Sequence, residues 1–122
     1  MKRDFDLIRK ILAAIEERPP LHEGSEPKID DVDPEAVAEH IDMMVEAGLL
    51  HGEVEIFMGG EFEVRVERLT WAGHDFLDSM RDDSVWVKAK GTVLKEAGGL
   101  PIEVLKSWLK WQLKEKLGIP AE

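Results

Sequence analysis

The chain has 122 residues, of which 43% are hydrophobic and 34% are charged, and its formal net charge is −10. This length and composition predict a single globular domain that buries a core, and they exclude a disordered chain. The chain has no cysteine, which excludes disulfides, thiolate metal sites and thiol catalysis, and its acidic balance disfavours nonspecific attachment to nucleic acid or anionic membrane.

The first helix is predicted from Asp4 to Glu17, because apolar side chains recur there at helical spacing. These side chains are Phe5, Ile8, Ile11, Leu12 and Ile15. The run Arg18-Pro19-Pro20 ends the helix, since proline removes a backbone donor and disfavours a helical conformation in the residue before it. A polar connector follows from Pro20 to Val32.

The second helix has a well-defined start. Asp33 is its predicted N-cap, Pro34 occupies the first helical position, and Glu35 lies near the positive end of the helix dipole. Gly48 ends the helix, as glycine does where the backbone must turn left-handed. The predicted buried stripe consists of Val37, Ile41, Met44 and Val45.

A β-hairpin is predicted next. Apolar and charged residues alternate over Glu53–Ile56 and again over Phe62–Glu67, which is the period of a half-buried strand. Between the two runs lies Met58-Gly59-Gly60-Glu61. Its glycines supply the positive φ that tight hairpin turns require.

The remaining third is predicted to be helical, starting with a helix that Thr70 caps. Its expected buried side chains are Trp71, Phe76, Leu77 and Met80. The segment Asp82-Asp83-Ser84 that follows is either a kink or a new N-cap.

A further helix is predicted from Val85 to Ala97, and Gly98-Gly99 closes it. Its expected inner face consists of Trp86, Ala89, Val93 and Leu94. Pro101 opens the last helix, which runs to about Leu117.

This order of elements predicts an α+β fold, specifically a winged helix-turn-helix variant whose middle helix is missing or degenerate. The hairpin is the wing, and two phrases around it are typical of such domains: Glu46-Ala47-Gly48-Leu49-Leu50 before it and Arg68-Leu69-Thr70-x-x-Gly73-x-x-Phe76-Leu77 after it. We expect one domain over residues 1–122, with a winged-helix core at 1–81 and a C-terminal helical extension at 82–122.

Several runs also resemble a known family. They are Met1-Lys2-Arg3-Asp4-x-Asp6-Leu7-Ile8-Arg9-Lys10-Ile11-Leu12, His40, Leu69-Thr70-Trp71-Ala72-Gly73-His74-Asp75-Phe76-Leu77-Asp78, Arg81-Asp82-Asp83 and Trp86. The chain resembles domain-of-unknown-function family twenty-five-thirteen, small bacterial and phage-associated proteins, over nearly its whole length. The resemblance implies a winged-helix-like fold and no activity, substrate or catalytic residue. The chain departs from the family pattern at Glu39, where an aromatic residue often precedes the helix histidine.

The distribution of charge conflicts with this fold's usual role. Residues 29–64 contain eleven acidic residues and no lysine or arginine. A winged helix reads DNA with its third helix and grips phosphates with cations there and on the wing. Here the candidate interaction face of that helix consists of Glu35, Glu39, His40, Asp42, Met43 and Glu46. Conventional DNA binding is therefore disfavoured, and a solvated acidic face is the simpler interpretation.

The last helix is the alternative contact surface. Its lysines recur every four residues beside an apolar stripe, and two tryptophans lie three residues apart. One interpretation is a core-packing helix with lysines in solvent. The other is an interface between two copies, since tryptophan dominates contact energetics. The candidate contact residues are Leu105, Lys106, Trp108, Leu109, Lys110, Trp111 and Lys114.

Enzymatic chemistry is not expected. The four histidines, His22, His40, His51 and His74, are scattered over different elements, and none forms the i, i+4 pair of a helical zinc site. No catalytic residue, cofactor or metal is therefore predicted.

The N-terminus has no apolar run behind its two positive charges, so we expect no signal peptide, no membrane contact and a cytoplasmic location.

The functional interpretation favoured by the sequence is a regulatory or adaptor module that acts through protein–protein contacts, as a homodimer through residues of about 101–117. The alternatives are a DNA-binding protein of the transcription-regulator type and an acidic DNA mimic that binds a basic protein. The orientation of the carboxylates on the second helix and wing discriminates between these interpretations. Carboxylates that point outward maintain the objection to DNA.

Overall fold

The computed structural model describes residues 2–19, 26–96 and 99–120, which form an α+β chain. In order along the chain its elements are α1 (Phe5–Glu16), α2 (Pro34–Glu46), β1 (Leu50–Ile56), β2 (Phe62–Leu69), α3 (Trp71–Met80), α4 (Asp83–Gly91), α5 (Val93–Glu96) and α6 (Ile102–Leu117). The chain divides into two compact units. The N-terminal unit is Arg3–Asp75, and the C-terminal unit is Phe76–Glu122 together with Met1–Lys2.

Helices α1 and α2 begin where the local sequence predicts. The Asp4 carboxylate caps α1 by accepting hydrogen bonds from the backbone N–H groups of Asp6 and Leu7, and Asp33 caps α2 by accepting from Glu35 N–H. At the end of α2, Gly48 adopts φ +78°, the left-handed conformation that glycine tolerates best. The apolar sides of α1 and α2 supply most of the N-terminal core: Phe5, Leu7, Ile8, Ile11, Leu12, Ile15, Val37, Ala38, Ile41 and Met44.

Strands β1 and β2 form a two-stranded antiparallel hairpin. The pairing shifts between His51 and Gly52, which leaves Glu67 without a partner across the sheet. This β-bulge changes the alternation of side chains, so that Val66 and Leu69, three residues apart, are both buried. At the tip, Gly60 has φ +86° and therefore supplies the predicted positive φ.

The base of the hairpin is tied together by Thr70. Its backbone N–H donates to the Leu49 carbonyl at 3.0 Å, and its hydroxyl donates to the Gly48 carbonyl. The same hydroxyl oxygen accepts from Gly73 N–H at 2.9 Å and so caps α3. The two phrases that the sequence marks at either side of the hairpin therefore contact one another directly. We call the residues Gly48, Leu49, Thr70 and Gly73 the Thr70 junction.

In the C-terminal unit, Asp82 is the N-cap of α4, so the run Asp82-Asp83-Ser84 is a new helix start and not a kink. Helices α4 and α6 contact one another, and Lys88 Nζ donates to Gln112 Oε1 across them at 3.1 Å. Lys116 pairs with the Asp82 carboxylate and thereby links the last turn of α6 to the start of α4.

The structure corrects two expectations about the helices and tests a third over the described residues only. The helix predicted over residues 85–97 is interrupted, because Thr92 leaves the helical conformation (φ −123°, ψ −91°) and separates α4 from α5. Trp71 is 83% exposed and is not a core residue. In the connector where a middle helix would lie, residues 26–33 contain no helix, and the predicted segment at 20–25 lies outside the described residues.

The Thr70 junction leaves no room for a side chain at position 73. A Cβ atom on Gly73 would lie 2.1 Å from the Leu49 carbonyl oxygen, so a backbone segment would have to move. We expect Gly73→Ala to lower the free energy of unfolding by roughly 1–3 kcal/mol or more in urea titrations. Gly91→Ala is the matched control. A Cβ there meets nothing within 4 Å, so stability should stay equal or rise by about 0.5–1 kcal/mol. Equal losses in both variants would contradict this account.

Asp82 predicts a pH dependence. Hydrogen bonds from Lys116, Ser84 and the Val85 backbone hold the pKa of the Asp82 carboxyl well below its ordinary value of 3.8. A lowered pKa in the folded chain means that the stabilisation is complete above pH 3.8 and is lost as the pH falls further. Asp82→Asn, which keeps the helix cap, should therefore destabilise the chain at neutral pH and progressively less in acid. Urea midpoints measured from neutral to acidic pH give the difference in stability between wild type and Asp82→Asn. This difference should be smaller when both chains also carry Lys116→Gln.

Candidate functional site

The exposed side of α2 carries a row of carboxylates. Glu35, Glu39, Asp42 and Glu46 are all exposed and lie at i, i+4, i+7 and i+11, on one face of the helix. The row extends for about 16 Å at the helical rise of roughly 1.5 Å per residue. None of the four makes an ion pair within the described part of the chain. We call these four residues the acidic row.

The structure corrects the placement of His40, which was expected on the same exposed face. Its side chain is 3% exposed. Nε2 accepts a hydrogen bond from Asp4 N–H at 2.9 Å, and Nδ1 lies 2.8 Å from the Ala36 carbonyl, to which it donates. Both bonds require the neutral ring with its proton on Nδ1. His40 therefore joins α2 to the start of α1, and it is a structural residue.

Met43, the other neutral residue of the expected face, is half-buried. The exposed surface of α2 thus consists more completely of carboxylates than the sequence indicated.

The outward side of the hairpin is also acidic. Arg65 pairs with Glu53 directly across the strands, with Nη2 and Oε1 2.7 Å apart. Two residues nearer the hairpin tip, Glu55 lies opposite Glu63, and both side chains are exposed. Two like charges at opposed positions destabilise a hairpin. The N-terminal unit as a whole has 19 acidic and 7 basic residues, so it carries the negative charge of the chain.

Between α2 and the inner side of the hairpin lies a groove of about 100 Å³. Its apolar wall is formed by Ala38, Val54, Ile56 and Phe62, its acidic rim by Glu35, Glu39 and Asp42, and Gly60 lies at its tip end. Ile56 is 73% exposed although it points to the α2 side of the sheet, as Val54 and Phe62 do. The hairpin therefore extends beyond the part of α2 that would cover its apolar face.

This groove was not predicted from the sequence. The alternation of apolar and charged residues predicted strands with one buried side, and the carboxylates were assigned to a separate face of the second helix. The pair of glycines at positions 59 and 60 indicated where the hairpin tip lies, but not that the apolar residues beside it are left exposed. No local pattern reports that α2 is too short to cover them.

Fewer residues of α6 are exposed for contact with a partner than the sequence predicted. Leu105 and Leu109 are fully buried within the chain, so including them as contact residues was wrong. Lys106 is half-buried, paired with Glu103 and placed over the Phe76 ring at 5.7 Å. The exposed side of α6 includes Lys110, Trp111 at 46% exposure and Val104, while Trp108 and Lys114 are half-buried. Self-association through this side stays a prediction.

The histidines lie in separate settings. His74 Nδ1 is 3.6 Å from Glu16 Oε2 in a partly exposed pair, and His51 is exposed on β1. His22 lies outside the described residues. Among the residues that the structure describes, no three histidine or carboxylate side chains are placed to hold a metal ion.

Within the same described residues no helix is long and apolar enough to cross a membrane.

The fold and this surface define a small α+β chain with an acidic helix–hairpin face. Its sequence matches the family described as "Hypothetical protein (DUF2513)" over residues 2–100, and the chain belongs to that family. It is similar to a Haemophilus influenzae protein named "Uncharacterized protein", with 32% identity over 107 residues that cover 87% of this chain and 90% of the relative. No solved structure matches the chain. The family resemblance drawn from the sequence is thereby confirmed.

The opposed pair Glu55 and Glu63 predicts that the hairpin is less stable than its fold allows. Glu63→Lys should raise the free energy of unfolding by about 0.5–1 kcal/mol, because it replaces a repulsion with an attraction. Glu67→Lys is the control, since it makes the same change of net charge at the bulge, where no residue lies opposite. Urea unfolding at low salt measures both. An equal gain in the two variants would assign the effect to net charge and contradict the pairwise explanation.

Proposed function

We propose that this chain is a regulatory or adaptor module that binds another protein through the acidic face formed by α2 and the hairpin. One observation carries the proposal. The carboxylates of the acidic row point to solvent and have no cationic partner in the described chain. A cationic protein surface is the chemical complement of this face.

The order of helix, helix and hairpin is that of a winged helix, and we propose that the module uses this scaffold. In such a scaffold the exposed side of α2 and the hairpin would face the DNA groove and phosphates. Here they would present the acidic row together with Glu53, Glu55 and Glu63 to a polyanion. Affinity for DNA comes largely from cations that neutralise phosphates. The same charges that oppose DNA favour a basic protein.

The DNA-mimic hypothesis is a special case of this proposal. In that case the cationic surface of the partner is one that otherwise binds DNA, and the acidic face would compete with DNA for it. Addition of duplex DNA to the complex would release the chain in this case and leave other complexes intact.

The proposal is tested by placing a photoreactive amino acid at Glu39, in the acidic row, and at Lys95, an exposed residue on α5 in the C-terminal unit. After illumination in the cell of origin, position 39 should give a discrete adduct that protease digests and nuclease does not. Position 95 should give none of the same mass.

A nuclease-sensitive adduct at position 39 would overturn the proposal in favour of nucleic-acid binding. So would micromolar, salt-sensitive binding of a labelled mixed-sequence duplex in fluorescence anisotropy, if Glu39→Lys raised its affinity, because the DNA would then contact the acidic face.

A further inference from the structure

We infer that the groove between α2 and the hairpin binds a short basic segment of a partner protein, which inserts one aliphatic side chain and places arginine or lysine against the acidic rim. This inference rests on the proposed function and specifies the part of the acidic face that holds the partner. It assigns a role to Ile56 and Phe62, which the charge of the face alone does not explain.

The apolar wall of the groove determines which kind of partner side chain binds there. Val54 and Phe62 are half-buried and Ile56 is 73% exposed, so water contacts a continuous apolar strip on the inner side of the hairpin. The volume of about 100 Å³ is smaller than the roughly 150 Å³ cavity that holds a benzene molecule. A leucine, isoleucine or methionine side chain is of a size that fits this space. Covering the strip removes apolar surface from water on both partners.

The acidic rim determines the charge of the partner residues on either side of the inserted side chain. Glu35, Glu39 and Asp42 line the groove on its α2 side, and each is separated from the next by about one turn of helix. A carboxylate beside apolar surface attracts a cation more strongly than one surrounded by water, because the local dielectric constant is lower. Arginine can also form two parallel hydrogen bonds to a carboxylate. The segment therefore carries cations on the side that faces α2 and an aliphatic residue between them.

The chain offers matched variants that separate these two contributions. Ile56→Ser removes apolar wall at a residue too exposed to matter for folding, and Met58→Ser makes a similar change at the hairpin tip, outside the groove, where the side chain is fully exposed. Glu39→Gln removes a charge from the rim. Glu46→Gln removes one from the same row of α2 but away from the groove. Thermal unfolding of all four variants tests whether each retains the fold, and each is expected to unfold as cooperatively as wild type.

The probe is a library of short random peptides displayed on phage and selected on the wild-type chain. Selected peptides should contain one aliphatic residue flanked by arginine or lysine. Their synthetic, labelled forms should bind Ile56→Ser about tenfold more weakly, which corresponds to a loss of about 1.4 kcal/mol of apolar contact. Glu39→Gln should weaken binding severalfold. Met58→Ser and Glu46→Gln should change it less than twofold.

The failures of the two proposals are distinguishable. Basic peptides that lack an aliphatic residue, or that bind Ile56→Ser as tightly as wild type, would overturn the groove and leave the acidic face as the binding surface. Selection of no basic sequence would overturn the proposed function together with the groove.

Discussion

The Thr70 junction is the contact on which the N-terminal unit depends. One hydroxyl donates to the Gly48 carbonyl and accepts from Gly73 N–H, while the backbone N–H of the same residue donates to Leu49. These bonds satisfy groups that the end of α2 and the start of α3 would otherwise leave without partners. They also fix the base of the hairpin, and so determine where its strands lie relative to α2. The close approach of Gly73 to the Leu49 carbonyl is why this position has no side chain.

The groove follows from that geometry. Once its base is fixed, the hairpin is held beside α2, but its strands continue past the part of the helix that could cover them. Ile56 and Phe62 consequently line an open groove, with the acidic row along its other side. The opposed carboxylates of Glu55 and Glu63 cost stability on the outward face, and no contact in the described chain offsets them.

Predictions from the sequence were accurate where a local hydrogen bond or backbone conformation decides the structure. The N-cap at Asp33 and the left-handed Gly48 each depend on a few adjacent residues. At Asp82-Asp83-Ser84 the sequence left a kink and a new N-cap open, and the structure shows the N-cap. Predictions of burial were less accurate. Trp71 was expected in the core and is exposed, because the hydrophobicity of a residue does not determine which side of a helix meets a neighbour. His40 lies three residues after Val37 and four before Met44, so its position on the buried stripe was readable and its polarity obscured it.

The sequence by itself determined the α+β class, the family, the starts of α1, α2, α3 and α6, the hairpin and the concentration of negative charge in residues 29–64, because each depends on residue type and short-range spacing. Only the tertiary structure decided that His40 links α2 to the start of α1, that Leu105 and Leu109 are unavailable to a partner, and that an apolar groove adjoins the acidic row. These features depend on which surfaces meet and how far each element extends. Distances between residues remote in sequence carry that information, and no local pattern encodes them.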